Sequence, residues 1–593
     1  MTGTFTQKRW SLFDLFPGQS SPEMKAAFAE LEERVTRFEG TRSRLTPEID
    51  SGVLLEQLKA LESITHLIQR ISAFAELWFS ENTQDQEALA FMASLENRLA
   101  EVANRVLFFS LWWKGLEDAH AQRLLAASGA YHYFLEEMRH FRPHTLSEPE
   151  EKVINLKDVT GARALQTLYS MITNRYQFEL EAAGEKKKVT RGELMVHVRQ
   201  ADPDQRAAAY QELYRVYGDD GPLLSQIYCA LARDWHNEHL GLRRFGSPLA
   251  VRNLHNDLPD AVVDTLLEVC RENAGLFQRF FRLKARWLNL PRLRRYDIYA
   301  PVAVSDKRYT FAQATQLVLG SLEGFDPKVA RLAERVMAED HLDSEVRAGK
   351  RSGAFCASTV PGQTPWVLSN FQGRADDVAT LAHELGHAIH SMLAAHHPVF
   401  TFHASLPLAE TASTFAEMLL IDKLLAQEAD PGVRRDLLFR QLDDAYATIG
   451  RQAFFALFEK EAHQRVQAGA AADEMCQAYL DNLHAQFGEA VEVADEFRWE
   501  WVSIPHIYDV PFYVYAYAFG QLLVLSLYRQ YQAEGRAFIP RYLELLSAGG
   551  SASPNEILTR AGLNMRERAF WQGGFDALTA RIVELEKLPL ASK

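Results

Sequence analysis

The chain has 593 residues, of which 47% are hydrophobic and 24% charged, the ordinary balance of a globular protein long enough for several cores. A formal net charge of -14 and a pI of about 5.8 argue against nucleic acid or an anionic membrane as the main partner. The four cysteines, Cys229, Cys270, Cys356 and Cys476, lie far apart without a Cys-x-x-Cys pair, which argues against a disulfide framework or a thiolate zinc site.

The first ten residues show no apolar core of the signal-peptide kind, so a cytoplasmic protein is expected. Residues 1–45 are mixed, with a helix expected from Pro22. Residues 46–175 read as long antiparallel helices opened at Thr46-Pro47, Thr83-x-x-Gln86 and Ser147-x-x-Glu150. Phe108, Phe109, Trp112 and Trp113 mark a densely buried helix face. Tyr176 to Glu181 alternates apolar and polar residues, and Gly184 then turns the chain, which predicts a small hairpin. Lys186-Lys187-Lys188 reads as a solvated turn. Thr190-Arg-Gly-Glu193 caps the next helix, and Asp257-Leu-Pro-Asp260 starts another. The chain turns irregular over residues 296–301, and Thr310-x-x-Gln313 opens a further helical stretch.

Gly353-Ala354-Phe355-Cys356 and Trp366 to Phe371 read as two short strands around the Pro361-Gly362 loop, the only clear sheet signal near Asp377 to His390. The rest is helical almost to the end, with Ser553-Pro554-Asn-Glu556 as a late helix start. Val510 to Tyr528 runs 19 residues without a charge, about the length a bilayer needs. Its Pro511, Gly520, Gln521, Ser526 and four tyrosines favour a buried core helix instead. The predicted fold is mainly α, with a small β-sheet beside the active site and no internal repeat.

The function is organised around Asp377 to His390. Within it, His383-Glu384-Leu385-Gly386-His387 places two imidazoles at i and i+4, one above the other on a helix. Both can grip one metal ion, and Glu384, beside the first, can hold a water on it. Asp377 is the expected N-cap, and Val378, Leu381, Leu385 and Ile389 form an apolar stripe, so the helix is read as buried. Two histidines and a glutamate there are costly unless something such as a metal satisfies them. One zinc ion per chain is expected. A catalytic zinc takes three protein ligands and keeps one position open. The third is assigned to Glu410, 23 residues after His387 in an otherwise apolar stretch. Glu417, seven residues on, shares its face and either supports a ligand imidazole or forms a structural ion pair. Ser413 either orients Glu410 or simply packs. His390 reads as a neighbour, a three-histidine site being the rival arrangement, and His396, His397 and His403 are placed in the connecting loop.

His383 to His387 followed by Glu410-Thr-Ala-Ser-Thr-Phe-Ala-Glu417 resembles the thimet oligopeptidase family of zinc peptidases, most closely its oligoendopeptidase F branch. Arg351 to Cys356, Pro365 to Phe371, Ile504-Pro-His-Ile-Tyr508 and Pro511 to Gly520 look like that branch, as do Trp10 and Ala201 to Arg206. The resemblance implies two helical lobes around a deep substrate channel, with a zincin-type helix and zinc on its floor. It implies an N-terminal helical region over residues 1–190 and a catalytic domain over 191–593. The implied reaction is hydrolysis of internal bonds in short unstructured oligopeptides. The implied ligands are His383, His387 and Glu410, with Glu384 as base and Tyr508, Tyr515 and His506 at the transition state. Phe512 stands where some relatives have a tyrosine.

The chemistry follows. Zinc lowers the pKa of bound water from about 15.7 towards 7. Glu384 takes the proton and passes it to the leaving amine. Tyr508 and Tyr515 are seven residues apart and on one helix would point the same way, so either, with His506, can donate to the oxyanion. Tyr513 and Tyr517 read as core aromatics. The strand 366–371 is expected to pair with an extended peptide through backbone groups, with Gly353 and Ala354 allowing close approach from the other side. Two alternatives remain: a zinc exopeptidase of the carboxypeptidase or dipeptidase kind, and a non-catalytic peptide-binding protein with structural zinc.

Overall fold

Helices dominate the computed structural model, which describes residues 5–182, 185–302 and 307–589. Two units emerge, each drawn from three separate stretches of chain.

The first unit comprises Met1–Arg142, Lys307–Ala426 and Gln530–Asn564. Three long helices, Pro22–Glu39, Ser51–Glu81 and Gln86–Gly115, bury apolar residues that recur at helical spacing. Leu31, Leu58, Ile71, Phe109 and Trp113 share a core with Trp366 and Leu368. Burying each such side chain stabilises by about 1.5–3 kcal/mol. Two expected helix starts shift. The second helix opens not at Thr46 but at Ser51, where the Asp50 carboxylate accepts from Gly52 N–H at 2.7 Å; aspartate is the better cap. Asp85, not Thr83, caps the third, because Thr83 bonds Gly349 O instead.

A three-stranded sheet lies in this unit, one strand more than expected. Trp366–Leu368 is central, parallel to Leu342–Asp343 on one side and antiparallel to Phe355–Ala357 on the other. The missed strand, Leu342–Asp343, is too short to show a period in sequence. The expected pairing of strand 366–371 with an added peptide is therefore corrected: both edges of its 366–368 strand are taken. Phe355–Ala357 and Leu342–Asp343 are the two edge strands. The early segment is fastened to this sheet. Ser344 N–H donates to Lys8 O at 3.0 Å, Ser11 N–H to Asp340 O at 2.7 Å, and Trp366 Nε1 to Ser11 O at 2.8 Å.

The second unit comprises Pro143–Asp306, Gln427–Arg529 and Met565–Lys593. Capping boxes at Ser147 and Thr190 open their helices as expected. Phe178–Ala182 and Glu185–Val189 form the expected antiparallel hairpin; its Gly184 turn lies outside the described residues. Lys186, Lys187 and Lys188 belong to the second strand and not to a turn, Lys187 facing Leu180 across the ladder. Several charges buried here are paired: Arg206 with Asp297 at 2.8 Å, Arg295 with Glu500 at 2.5 Å, Lys284 with Asp443 at 2.8 Å.

The uncharged run at Val510 is interrupted. Pro505–Asp509 is one short helix and Tyr515–Glu534 a separate, largely buried one. Pro511 supplies no donor and pushes Val510 to extended backbone, at φ -142°. Phe512 then sits at φ 59°. Among the described residues no helix is long and apolar enough to cross a membrane.

Candidate active site

Ala375–Leu393 carries the paired histidines. It starts two residues before Asp377, the expected cap. Gly373, at φ 85°, turns the chain, and Asp377 reaches back as an acceptor for Gln372 N–H and Arg374 N–H, both at 2.8 Å. Val378, Leu381, Leu385 and Ile389 are buried as their spacing predicts. Glu410 caps the short helix Leu406–Ala409, and Thr411–Gln427 follows directly with Ser413 and Glu417.

Gly386 lets the two helices meet. A Cβ at this position would stand 2.5 Å from Ser413 Cα and 2.6 Å from Ala412 O, so any side chain would force the backbones apart. This close approach sets Glu410 and Glu417 around His383. Glu410 Oε2 lies 3.3 Å from His383 Nε2 and 3.4 Å from His387 Nε2. Ligand bonds of about 2.0–2.2 Å in a tetrahedron put donor atoms roughly 3.3–3.5 Å apart. The three ligand atoms all fall within 4.8 Å of one another, so two imidazole nitrogens and a carboxylate oxygen fit one zinc ion. His390 is not part of this group; it is buried, and burial holds its imidazole down to about 4.

The surroundings orient these donors. His383 Nδ1 lies 2.5 Å from Glu417 Oε1, which fixes the ring with Nε2 toward Glu410. Ser413 Oγ donates to Glu410 Oε2 at 2.7 Å. Burial opposes charge on His383, but the carboxylates of Glu410 and Glu417 outweigh it and raise its pKa to about 10. The two imidazoles hold the Glu410 carboxyl well below the usual range, against the partial desolvation of its surroundings. Glu384 is buried, and burial raises its pKa against the pull of both histidines.

These groups open on a cavity of about 380 Å³. Ala354, Phe355 and Cys356 of the edge-strand region line one side, and His390, Phe402 and His403 another. Gly353 is exposed at φ 81°, its carbonyl accepting from Asn370 Nδ2 at 2.8 Å. Phe402 and Cys356 had no local signal: their place in the wall follows from strand pairing and from the short helix Val399–Phe402.

The aromatic segment differs from its expected form. Tyr508 and Tyr515 lie on separate helices, so their heptad spacing does not align them. Tyr508 is buried, stacks on Tyr169 with centroids 3.8 Å apart and donates to Leu224 O at 3.3 Å. Tyr515 is buried and accepts from Asn256 Nδ2 at 2.8 Å. Tyr517 is 36% exposed and not a core residue; its hydroxyl lies 3.5 Å from Nε2 of half-buried His506, with half-buried Tyr513 alongside.

Comparison with known proteins agrees with this architecture. The chain is 25% identical over 596 residues to "Oligopeptidase PepF" of Bacillus subtilis, spanning 98% of this chain and 88% of the relative. It is 27% identical over 580 residues to "Oligoendopeptidase F homolog" of Lactococcus lactis, spanning 94% and 95%. The crystal structure of a Chlamydophila abortus protein assigned as a peptidase superposes with a TM-score of 0.89 at 25% identity, over 98% of both chains. A family model described as oligopeptidase F matches residues 112–178, and one described as peptidase family M3 matches residues 196–577. The second match spans more than half of the chain and includes both histidines and Glu410: the chain belongs to peptidase family M3 and is a metallopeptidase.

Proposed function

We propose that the protein is a zinc metalloendopeptidase that hydrolyses internal bonds of short, unstructured oligopeptides. The observation that carries this reading is the convergence of His383 Nε2, His387 Nε2 and Glu410 Oε2 beside buried Glu384, with His383 Nδ1 on Glu417. One zinc per chain, held by His383, His387 and Glu410, supplies a Lewis acid that acidifies water and polarises the peptide carbonyl. Glu384, its pKa raised by burial, takes a proton from the attacking water and delivers it to the leaving amine. Glu417 and Ser413 orient the ligands.

Substrate binding is assigned to Gly353, Ala354 and the edge strand Phe355–Ala357. An edge strand offers backbone groups to an extended peptide without regard to its sequence. Among the described residues lining the cavity none is an arginine or lysine, and a carboxypeptidase would use one to hold the free carboxylate. The name of the Lactococcus lactis relative, an oligoendopeptidase F homolog, points the same way. Tyr515 accepts from Asn256 and so keeps its own proton to give the oxyanion, with His506 assisting. Tyr508 directs its proton to Leu224 O and is the weaker candidate. The four cysteines are free, which fits a reducing cytoplasm.

The test combines metal content with cleavage of a blocked, internally quenched peptide of about ten residues, before and after chelation. One zinc per chain and chelator-sensitive internal cleavage are expected. Zinc without internal cleavage, but with release of terminal residues from unblocked peptides, would replace this reading by an exopeptidase.

A further inference from the structure

The peptide group between Pro511 and Phe512 is gripped at both of its polar ends by ionisable side chains. Arg252 Nε donates to Pro511 O at 3.2 Å, and Glu459 Oε1 accepts from Phe512 N–H at 2.9 Å. They come from two different helices, Pro248–His255 and Arg451–Gln467. Phe512 is buried at φ 59°, a region that bulky residues avoid. Glu459 is fully buried, and its second oxygen has no hydrogen-bond partner among the described residues. A carboxyl group buried with one oxygen unpaired is costly, and it marks a position where the backbone must be held. Four residues beyond Arg252, Asn256 Nδ2 donates to Tyr515 Oη at 2.8 Å. The same stretch of chain therefore fixes the turn and the tyrosine that follows it.

We propose that Arg252 and Glu459 are positioning residues, which clamp the 511–512 peptide in its left-handed turn and so set where Tyr513, Tyr515 and Tyr517 present their hydroxyls, given the proposed role of Tyr515 at the oxyanion. Without the clamp, Phe512 relaxes to negative φ, and the chain leaves the turn in another direction. The hydroxyls that follow move together, although neither clamp residue touches substrate.

Full-length, zinc-loaded enzyme tests this by steady-state cleavage of the blocked peptide, with zinc content and Tm measured alongside. Tyr513→Phe, Tyr515→Phe and Tyr517→Phe locate the segment's contribution. Glu459→Ala is expected to lower kcat on the order of 100-fold with KM and zinc content little changed, since a misplacement of about 1 Å costs that much. Glu459→Gln, which still accepts from Phe512 N–H, recovers most of it. Adding Glu459→Ala to Tyr515→Phe costs little more, because both act on one group. If Glu459→Ala does not fold, Arg252→Met at the half-buried end of the clamp carries the test. A folded, zinc-loaded clamp variant with wild-type kcat, while Tyr515→Phe is impaired, overturns the proposal. If no tyrosine variant lowers kcat, the role assigned to the segment fails first and takes the clamp's catalytic part with it, a pattern distinct from the former.

Discussion

His383 Nδ1 stands 2.5 Å from Glu417 Oε1, so the first histidine of the pair is held from a helix that begins 28 residues after it. A carboxylate behind a ligand imidazole fixes the ring and raises its basicity. Glu417→Ala is expected to weaken zinc binding by about 10–100-fold, read by competition with a chromogenic chelator. Were the pair only a structural ion pair, Tm would fall while zinc affinity stayed at the wild-type value.

Glu384→Gln keeps the shape of the site and removes the proton acceptor. Zinc should remain at one per chain, and kcat should fall by about 10²–10⁴-fold, the usual worth of a general acid–base group. A rate near wild type would remove Glu384 from the mechanism.

Gly386→Ala is the smallest change that tests the helix crossing. The added methyl meets backbone at 2.5 and 2.6 Å, not a flexible side chain. Alanine favours helix by about 1 kcal/mol over glycine, but overpacking of this kind costs about 1–3 kcal/mol. A lower Tm together with faster zinc loss to chelator is expected, because Glu410 and Glu417 move with the second helix. A rise in Tm with unaltered zinc retention would show that the crossing has slack.

Glu459 and His463 lie one turn apart on Arg451–Gln467, both buried. Burial pushes the Glu459 carboxyl from 4.5 up to about 8 and the His463 imidazole from 6.5 down to about 4. Between pH 4.5 and 8 native Glu459 keeps a proton that the unfolded chain releases, so stability falls as pH rises through this window. Between pH 6.5 and 4 the unfolded chain takes up a proton that native His463 refuses, so stability falls as pH drops. Each is worth on the order of a few kcal/mol. Calorimetry from pH 4 to 9 should show Tm declining on both flanks, and Glu459→Gln should remove the loss between pH 6.5 and 8. Parallel declines in the two proteins would assign that flank elsewhere.

How legible the molecule is in its sequence depends on how local each relationship is. His383 and His387 meet because four residues make a turn, and Ser147, Thr190 and Thr310 cap their helices through partners three residues away. Glu410 stands out as a carboxylate within an apolar run, and its spacing to Glu417 brings both to one imidazole. The strand order was not legible. Pairing of Trp366–Leu368 with Leu342–Asp343 joins distant residues through backbone alone, and two residues carry no period. The aromatic segment misled for a different reason. Pro511 was visible, but the left-handed turn at Phe512 that separates Tyr508 from Tyr515 is hydrogen-bonded by Glu459 and Arg252, some 50 and 260 residues away.

The fastening of the early segment to the sheet has a consequence during synthesis. Trp366 Nε1 reaches Ser11 O across 355 residues of chain. Ribosomes add roughly 5–20 residues per second, so Ser11 and buried Trp10 wait on the order of tens of seconds for their partners to exist. Until then the three long helices of residues 22–115 lack the indole of Trp366 and the side chain of Leu368 that complete their core. The nascent first unit is therefore an incomplete fold that a chaperone or a neighbouring chain can meet, and it stays open until the sheet just ahead of the His383–His387 helix, and after it the stretch Gln530–Asn564, have been made.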